Sequence, residues 1–200
     1  MAAAAGEATG ADIAAGLHAV DALTVDVLSD NVSDSYVSKT LFAVSEFANV
    51  VRGGAAAISG ETLLVANLGY GLRLTLRHGA TERVMLFDAG TEGTAFLRNC
   101  RNLALDLATV EAIAVTHGHW DHMGALPAAI GAIAGVGGRV EVHVNPGMFD
   151  ERAVVLAGGA IVPVGKVPTP EEMERLGATV VNRPEARLLF DGLAFLSGEI

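Results

Sequence analysis

The stretch that decides the fold runs Glu111-Ala112-Ile113-Ala114-Val115-Thr116-His117-Gly118-His119-Trp120-Asp121-His122. Its first half is a short apolar run that predicts a buried strand over Glu111–Thr116. Its second half, read as a loop over His117–His122, holds three of the six histidines within six residues, beside a carboxylate. Imidazole nitrogen and carboxylate oxygen suit zinc, iron and manganese. His117 and His119 can therefore face one ion, and Asp121 and His122 a second. Gly118 lets the backbone pass close to such a cluster. Two divalent ions roughly 3.5–4 Å apart would activate a shared water or hydroxide as a nucleophile. The plain alternative is a histidine-rich surface loop with no metal.

Outward from this segment, strands and helices alternate. Leu23–Val27 reads as a strand, and Ser35 to Val51 carries apolar residues at helical spacing. Gly71–Arg77 and Arg83–Phe87 alternate and predict a hairpin. Residues 93–104 predict a helix, as do 123–135 with Pro127 in the first turn. Val140–Val144 predicts a strand, 171–176 a short helix closed by Gly177, and 178–181 a strand. Residues 187–197 read as strands broken at Asp191-Gly192. A short helix is expected within 11–20, after an Ala/Gly-rich tail over 1–10. The pattern is that of one layered α/β domain over 11–200, with no internal repeat and no linker.

Composition bounds the rest. The chain has 200 residues, 51% of them hydrophobic, and a formal net charge of −10. That supports a packed core and argues against sequence-independent nucleic-acid binding, which needs clustered Lys and Arg. No apolar run reaches the roughly 20 residues needed to span a bilayer, and the first twenty residues lack the basic start of a secretory signal. A cytoplasmic protein with a small-molecule substrate is expected; the oligomeric state is left open. The lone cysteine, Cys100, reads as a small buried hydrophobe. His143 alternates with Val142 and Val144 and reads as a strand-surface histidine before one that leans toward the metal loop. Trp120 reads as packing beneath its loop, or else as a pocket wall.

H-x-H-x-D-H after a hydrophobic strand resembles the signature of the metallo-β-lactamase superfamily. Met85-Leu86-Phe87-Asp88-Ala89-Gly90 resembles that family's upstream strand ending in Asp-x-Gly. The resemblance implies an αββα sandwich, a metal-dependent hydrolase acting on an ester, amide or phosphoester, and two divalent ions, zinc first. It implies metal ligation by His117, His119, Asp121 and His122, a catalytic role for Asp121 in orienting water or passing a proton, and support of the ligands by Asp88, with Thr116 and Gly118 beside it.

A narrower resemblance rests on Asp30-Asn31, Asn99, Leu105-Asp106-Leu107, Asn145-Pro146-Gly147-Met148-Phe149 and Ser197-Gly198-Glu199-Ile200. These look like the branch named after a dihydropterin ribofuranosyl-aminobenzene phosphate synthase. It implies transferase chemistry as an alternative to hydrolysis, and Glu199 as a substrate contact. Asn31, Trp120 and Phe149 are further candidate substrate contacts from their residue types and positions, set against a cap for Asn31 and core packing for the two aromatics. Leu68-Gly69-Tyr70-Gly71-Leu72 and Asn145-Pro146 depart from the branch, which has His-Gly-Leu-Ser-like and His-Pro segments there. The superfamily also completes its metal site with a later His, a bridging Asp and a final His. From that, a C-terminally truncated chain is expected, with a catalytically inactive remnant or binding module as the competing reading.

Overall fold

The computed structural model describes residues 14–31, 42, 44–54 and 56–199. The expected tail over 1–10, the start of the expected helix within 11–20 and most of 35–43 lie outside them. Residues 14–16 are helical, and the helix expected to end at Val51 is described as α1, Glu46–Arg52, capped by Ser45.

Six strands make the main sheet. β1 (Ala22–Ser29), β2 (Gly71–His78) and β3 (Thr81–Phe87) pair antiparallel in that order. β4 (Ala112–Ala114), β5 (Val140–Val144) and a later strand (Ala178–Asn182) continue the sheet in parallel. The parallel half needs helical crossovers. These are α2 (Gly93–Asn102), the four-residue α3 (Trp120–Met123) with α4 (Leu126–Gly137), and α5 (Pro170–Leu176). Between β5 and α5 lies a hairpin of β6 (Ala153–Val155) and β7 (Ile161–Pro163). The sixth strand of the main sheet is therefore β8. A final hairpin joins β9 (Arg187–Leu189) to β10 (Ala194–Leu196) around Asp191-Gly192, as the sequence predicts.

Period-2 alternation sorts β3 between two cores. Val84 and Leu86 face α2, α4 and α5, where Phe96, Ile130, Ile133 and Met173 are almost wholly buried. Met85, with Ala112 and Ala114, faces the opposite way, against Leu189 and Leu196 of the last hairpin. The described residues thus form three layers, helices, sheet and hairpin; a fourth layer is not among them. Local signals are consistent with this. Glu92 caps α2 by accepting from Thr94 N at 2.9 Å and Ala95 N at 2.7 Å. Thr169 and Glu172 form a reciprocal cap on α5, which ends on left-handed Gly177. Buried Asn99 donates to the carbonyls of Leu28 and Val65 and accepts from Val65 N, tying β1 and the 63–67 segment to α2.

Two expectations need correction. The segment His117–His122 is not all loop: its second half is α3. His119 sits in extended backbone at the start of that turn, and its carbonyl accepts from His122 N and Met123 N, both at 3.1 Å. The helix expected over 123–135 accordingly begins at Leu126, with Pro127 in its first turn, where the missing N–H costs nothing. His143 is not a surface residue; it is 4% exposed, because its side of β5 is roofed by the last hairpin.

Candidate metal centre

The histidine segment leaves β4 at its C-terminal end, where ligands bind in open parallel sheets. Asp88 leaves the neighbouring β3 at the same end, with φ of 59°, a left-handed conformation that Asp tolerates better than most residues. Its carboxylate is fully buried. One oxygen accepts from Thr116 N at 2.8 Å; the other accepts from Thr116 Oγ1 and lies against His122 Nδ1, both at 2.7 Å. Asp88 is therefore no simple turn residue.

This network fixes the proton positions of two imidazoles. A carboxylate only accepts, so His122 Nδ1 carries the hydrogen and His122 Nε2 is left with a bare lone pair. Thr116 Oγ1, having donated to Asp88, can only accept from His117 Nδ1 at 2.9 Å. That leaves His117 Nε2 bare as well. It lies 3.0 Å from His119 Nδ1. His122 Nε2 lies 3.7 Å from Asp121 Oδ2. The His117 ring sits 4.5 Å from that of His119 and 4.1 Å from that of His122. Burial first, and then the neighbouring His122 and His119, hold His117 below the ordinary histidine pKa.

The donors fit a divalent ion in kind and spacing. Two nitrogens about 2.0–2.1 Å from one tetrahedral ion stand about 3.4 Å apart, within a few tenths of an ångström of the His117–His119 separation. The donors gather as two pairs, however. Among the described residues no set of three or more His, Cys, Asp or Glu side chains is arranged to hold one metal ion.

The backbone around the loop is close-packed. A Cβ on Gly118 would overlap the backbone of Met148, and one on Gly69, at φ of 104°, would overlap the carbonyl of Asp121. The close approach that Gly118 permits is thus to the segment after β5, and the 68–70 departure from the branch pattern backs directly onto α3.

Two cavities flank the loop. The first, about 780 Å³, lies between the loop and the last hairpin and is lined by Thr116, His117, His143, Asn145, Arg187 and Glu199, among others. The second, about 590 Å³, lies between the loop and the β6–β7 segment, with His119, Trp120, Phe149 and Lys166 in its wall. Of the expected substrate contacts, Glu199 lines the first cavity and Trp120 and Phe149 the second. Asn31 does not join them: it is exposed after β1, and no described bond ties it to the loop. Trp120 is 37% exposed rather than packed beneath the loop.

Two more residues line the first cavity with His117: His143, which the sequence reads as a strand-surface residue before one leaning toward the loop, and Arg187, which the sequence does not single out. Arg187 Nε donates to His143 Nδ1 at 3.2 Å, and Arg187 Nη1 donates to the carbonyls of Arg183 and Glu185 at 3.1 and 2.8 Å. Burial first, then Arg187, lowers the His143 pKa below its ordinary value. The available signal was the position of His143 near the C-terminal end of a parallel strand, one strand over from the histidine loop.

A model of the metallo-beta-lactamase superfamily matches residues 76–190, more than half of the chain, and the protein belongs to that superfamily. A search of curated proteins finds no match. Similar solved structures include MEM-A1, a subclass B3 metallo-beta-lactamase from a soil metagenome library, at 17% identity and TM-score 0.35, over 62% of this chain and 44% of that one. MIM-1 from Novosphingobium pentaromativorans matches at 18% and 0.36, over 62% and 44%. A metallo-beta-lactamase of Cronobacter sakazakii matches at 19% and 0.35, over 62% and 45%. The match spans less than half the length of those structures, and the family assignment rests on the family model. No described helix is long and apolar enough to cross a membrane.

Proposed function

We propose that the protein is a metal-dependent hydrolase whose histidine segment holds divalent metal, zinc first, through His117, His119, Asp121 and His122. The observation that carries this is the bond from His122 to buried Asp88, with Thr116 doing the same for His117. Two rings are held so that their bare nitrogens are turned to His119 and Asp121, the kind of ring orientation that outer carboxylates impose on metal-binding histidines. A metal bound there would acidify water and polarise the scissile group. Asp121, 3.7 Å from His122 Nε2, would orient the attacking water or accept its proton. Trp120 and Glu199 would meet a small ester, amide or phosphoester from the two flanking cavities. Within the superfamily we place the chain nearest the dihydropterin synthase-like branch on the motifs quoted above.

A second reading, weak metal binding without turnover, is favoured by the pairing of the donors in twos. Metal analysis of the purified chain, alongside turnover of bis(p-nitrophenyl) phosphate, p-nitrophenyl acetate and nitrocefin, separates them. Stoichiometric metal and turnover, both abolished by H117A/H119A, are expected. If that double variant kept its metal and its activity, the proposal would fail.

A further inference from the structure

The first cavity contains a cation that the metal reading does not use. Arg187 enters at the start of β9, and its guanidinium is fixed at three points: Nε on His143 Nδ1, and Nη1 on two backbone carbonyls. His143 is buried, and because Arg187 can only donate, His143 Nδ1 must be the bare nitrogen of a neutral ring. Its Nε2–H then makes no satisfactory bond, although Glu141 Oε2 is 3.3 Å away. Arg187 Nη2 has no hydrogen-bond partner among the described residues, and no carboxylate stands within ion-pair distance of the guanidinium. The carboxylates of the cavity gather elsewhere in it: a Cβ on Gly147 would stand 3.0 Å from Glu199 and 3.9 Å from Asp150. In a chain with 13 basic and 23 acidic residues, a half-buried arginine held rigid, with Glu185 acting on it only from beyond ion-pair distance, is a specific arrangement.

We propose that Arg187, positioned by His143, is an oxyanion subsite, so that the substrate carries a carboxylate or phosphate group. The physical basis is preorganisation. An arginine free in solution gives up side-chain freedom to grip an anion; here three bonds have already removed it. Two Nη2 hydrogens remain for the ligand, in a cavity that also holds His117. The anion would anchor one end of a small molecule while its scissile group reaches the histidine segment. Calling the ligand a substrate rests on the hydrolase reading; the anion site itself does not.

The test is a titration of the full-length chain with sodium phosphate, sodium acetate and sodium chloride, followed at the Arg187 Nε–H resonance, which R187K identifies by its loss. A saturable shift with phosphate or acetate beyond that of chloride is expected, and the better of the two names the group. R187Q should weaken binding about ten-fold or more, as for a lost charged hydrogen bond. H143L should weaken it about three-fold, and H143Q, whose amide oxygen can accept the Nε–H, should restore it. No shift beyond the chloride control overturns the proposal even if R187Q does not fold, and so does unchanged affinity in a folded R187Q. The same titration on H117A/H119A separates the two readings. Binding retained there supports the subsite whatever becomes of the metal. Binding that vanishes there places the anion on the metal and sinks the subsite.

Discussion

Asp88 and His122 leave adjacent parallel crossovers, 34 residues apart in the chain, and meet at 2.7 Å with the carboxylate fully buried. Neither group is satisfied alone: Asp88 without His122 and Thr116 would be a stranded charge, and His122 without Asp88 could present either nitrogen. D88A should therefore weaken zinc binding about 10–100-fold, the usual effect of removing an outer carboxylate. It should also cost roughly 3 kcal/mol of stability, because Thr116 N–H and His122 Nδ1 lose their acceptor. Zinc titration calorimetry and urea denaturation of the metal-free chain read the two effects separately. Zinc affinity within two-fold of wild type would contradict the role given to Asp88.

Proton positions are open to direct test. Long-range ¹H–¹⁵N spectra of the metal-free chain at pH 7.5 should show His117 and His122 as Nδ1–H rings with unprotonated Nε2. His119 Nδ1, facing a bare nitrogen at 3.0 Å, should carry the hydrogen before metal is added. On zinc addition that hydrogen should move to His119 Nε2, freeing Nδ1. An Nε2–H tautomer at His122 in the metal-free chain would refute the argument from the Asp88 contact.

His143 makes stability depend on pH. Its folded pKa lies below the ordinary 6.5, so between those two values the unfolded chain binds a proton that the folded chain does not. Stability should fall as pH drops from about 6.5 toward the folded value, where protonated Nδ1 would confront Arg187 Nε–H. H143Q should remove this part of the slope. Urea midpoints of both chains between pH 5 and 7.5 check it, and parallel slopes would count against it.

Packing around the loop predicts an intolerant glycine. G118A drives a methyl group into the Met148 backbone, which cannot swing aside as a side chain would. A loss of about 1–3 kcal/mol is expected from overpacking, together with a shift in the loop that lowers metal affinity. Thermal melts of the metal-free chain measure the first term. An unchanged melting temperature would mean the segment after β5 yields freely.

Cys100 should be silent. It is 2% exposed in the helix-side core, and burial pushes its thiol up to about 12. Ellman's reagent should find no reactive thiol in the folded chain at pH 8 and one per chain in 6 M guanidinium chloride. Rapid reaction in the native state would show that the core packed against this face of α2 does not cover it.

The sequence made the strand-and-helix alternation legible because strands such as Gly71–His78 and Val140–Val144 match their periodicity closely. The histidine segment was legible because its donors are local. What was not legible depends on contacts distant in sequence. The α3 turn at Trp120–Met123 is too short for a periodic signal. His143 looks like an exposed strand residue until the 187–196 hairpin is laid over it. Arg187, one of several scattered arginines, has no motif at all; only its three acceptors distinguish it. Asn31 is exposed after β1 and lines neither cavity beside the loop.

The parallel pairing of β3 with β4 carries one more implication. Asp88 and Thr116 become neighbours only when those strands zip together, so the selection of nitrogens at His117 and His122 is a property of the closed sheet. A nascent or denatured chain offers three interchangeable rings, each able to seize zinc by either edge. Metal supplied during refolding should consequently capture misregistered species, whereas metal supplied afterwards meets a template already set. The order of addition, rather than the final concentration, then governs the yield of loaded protein.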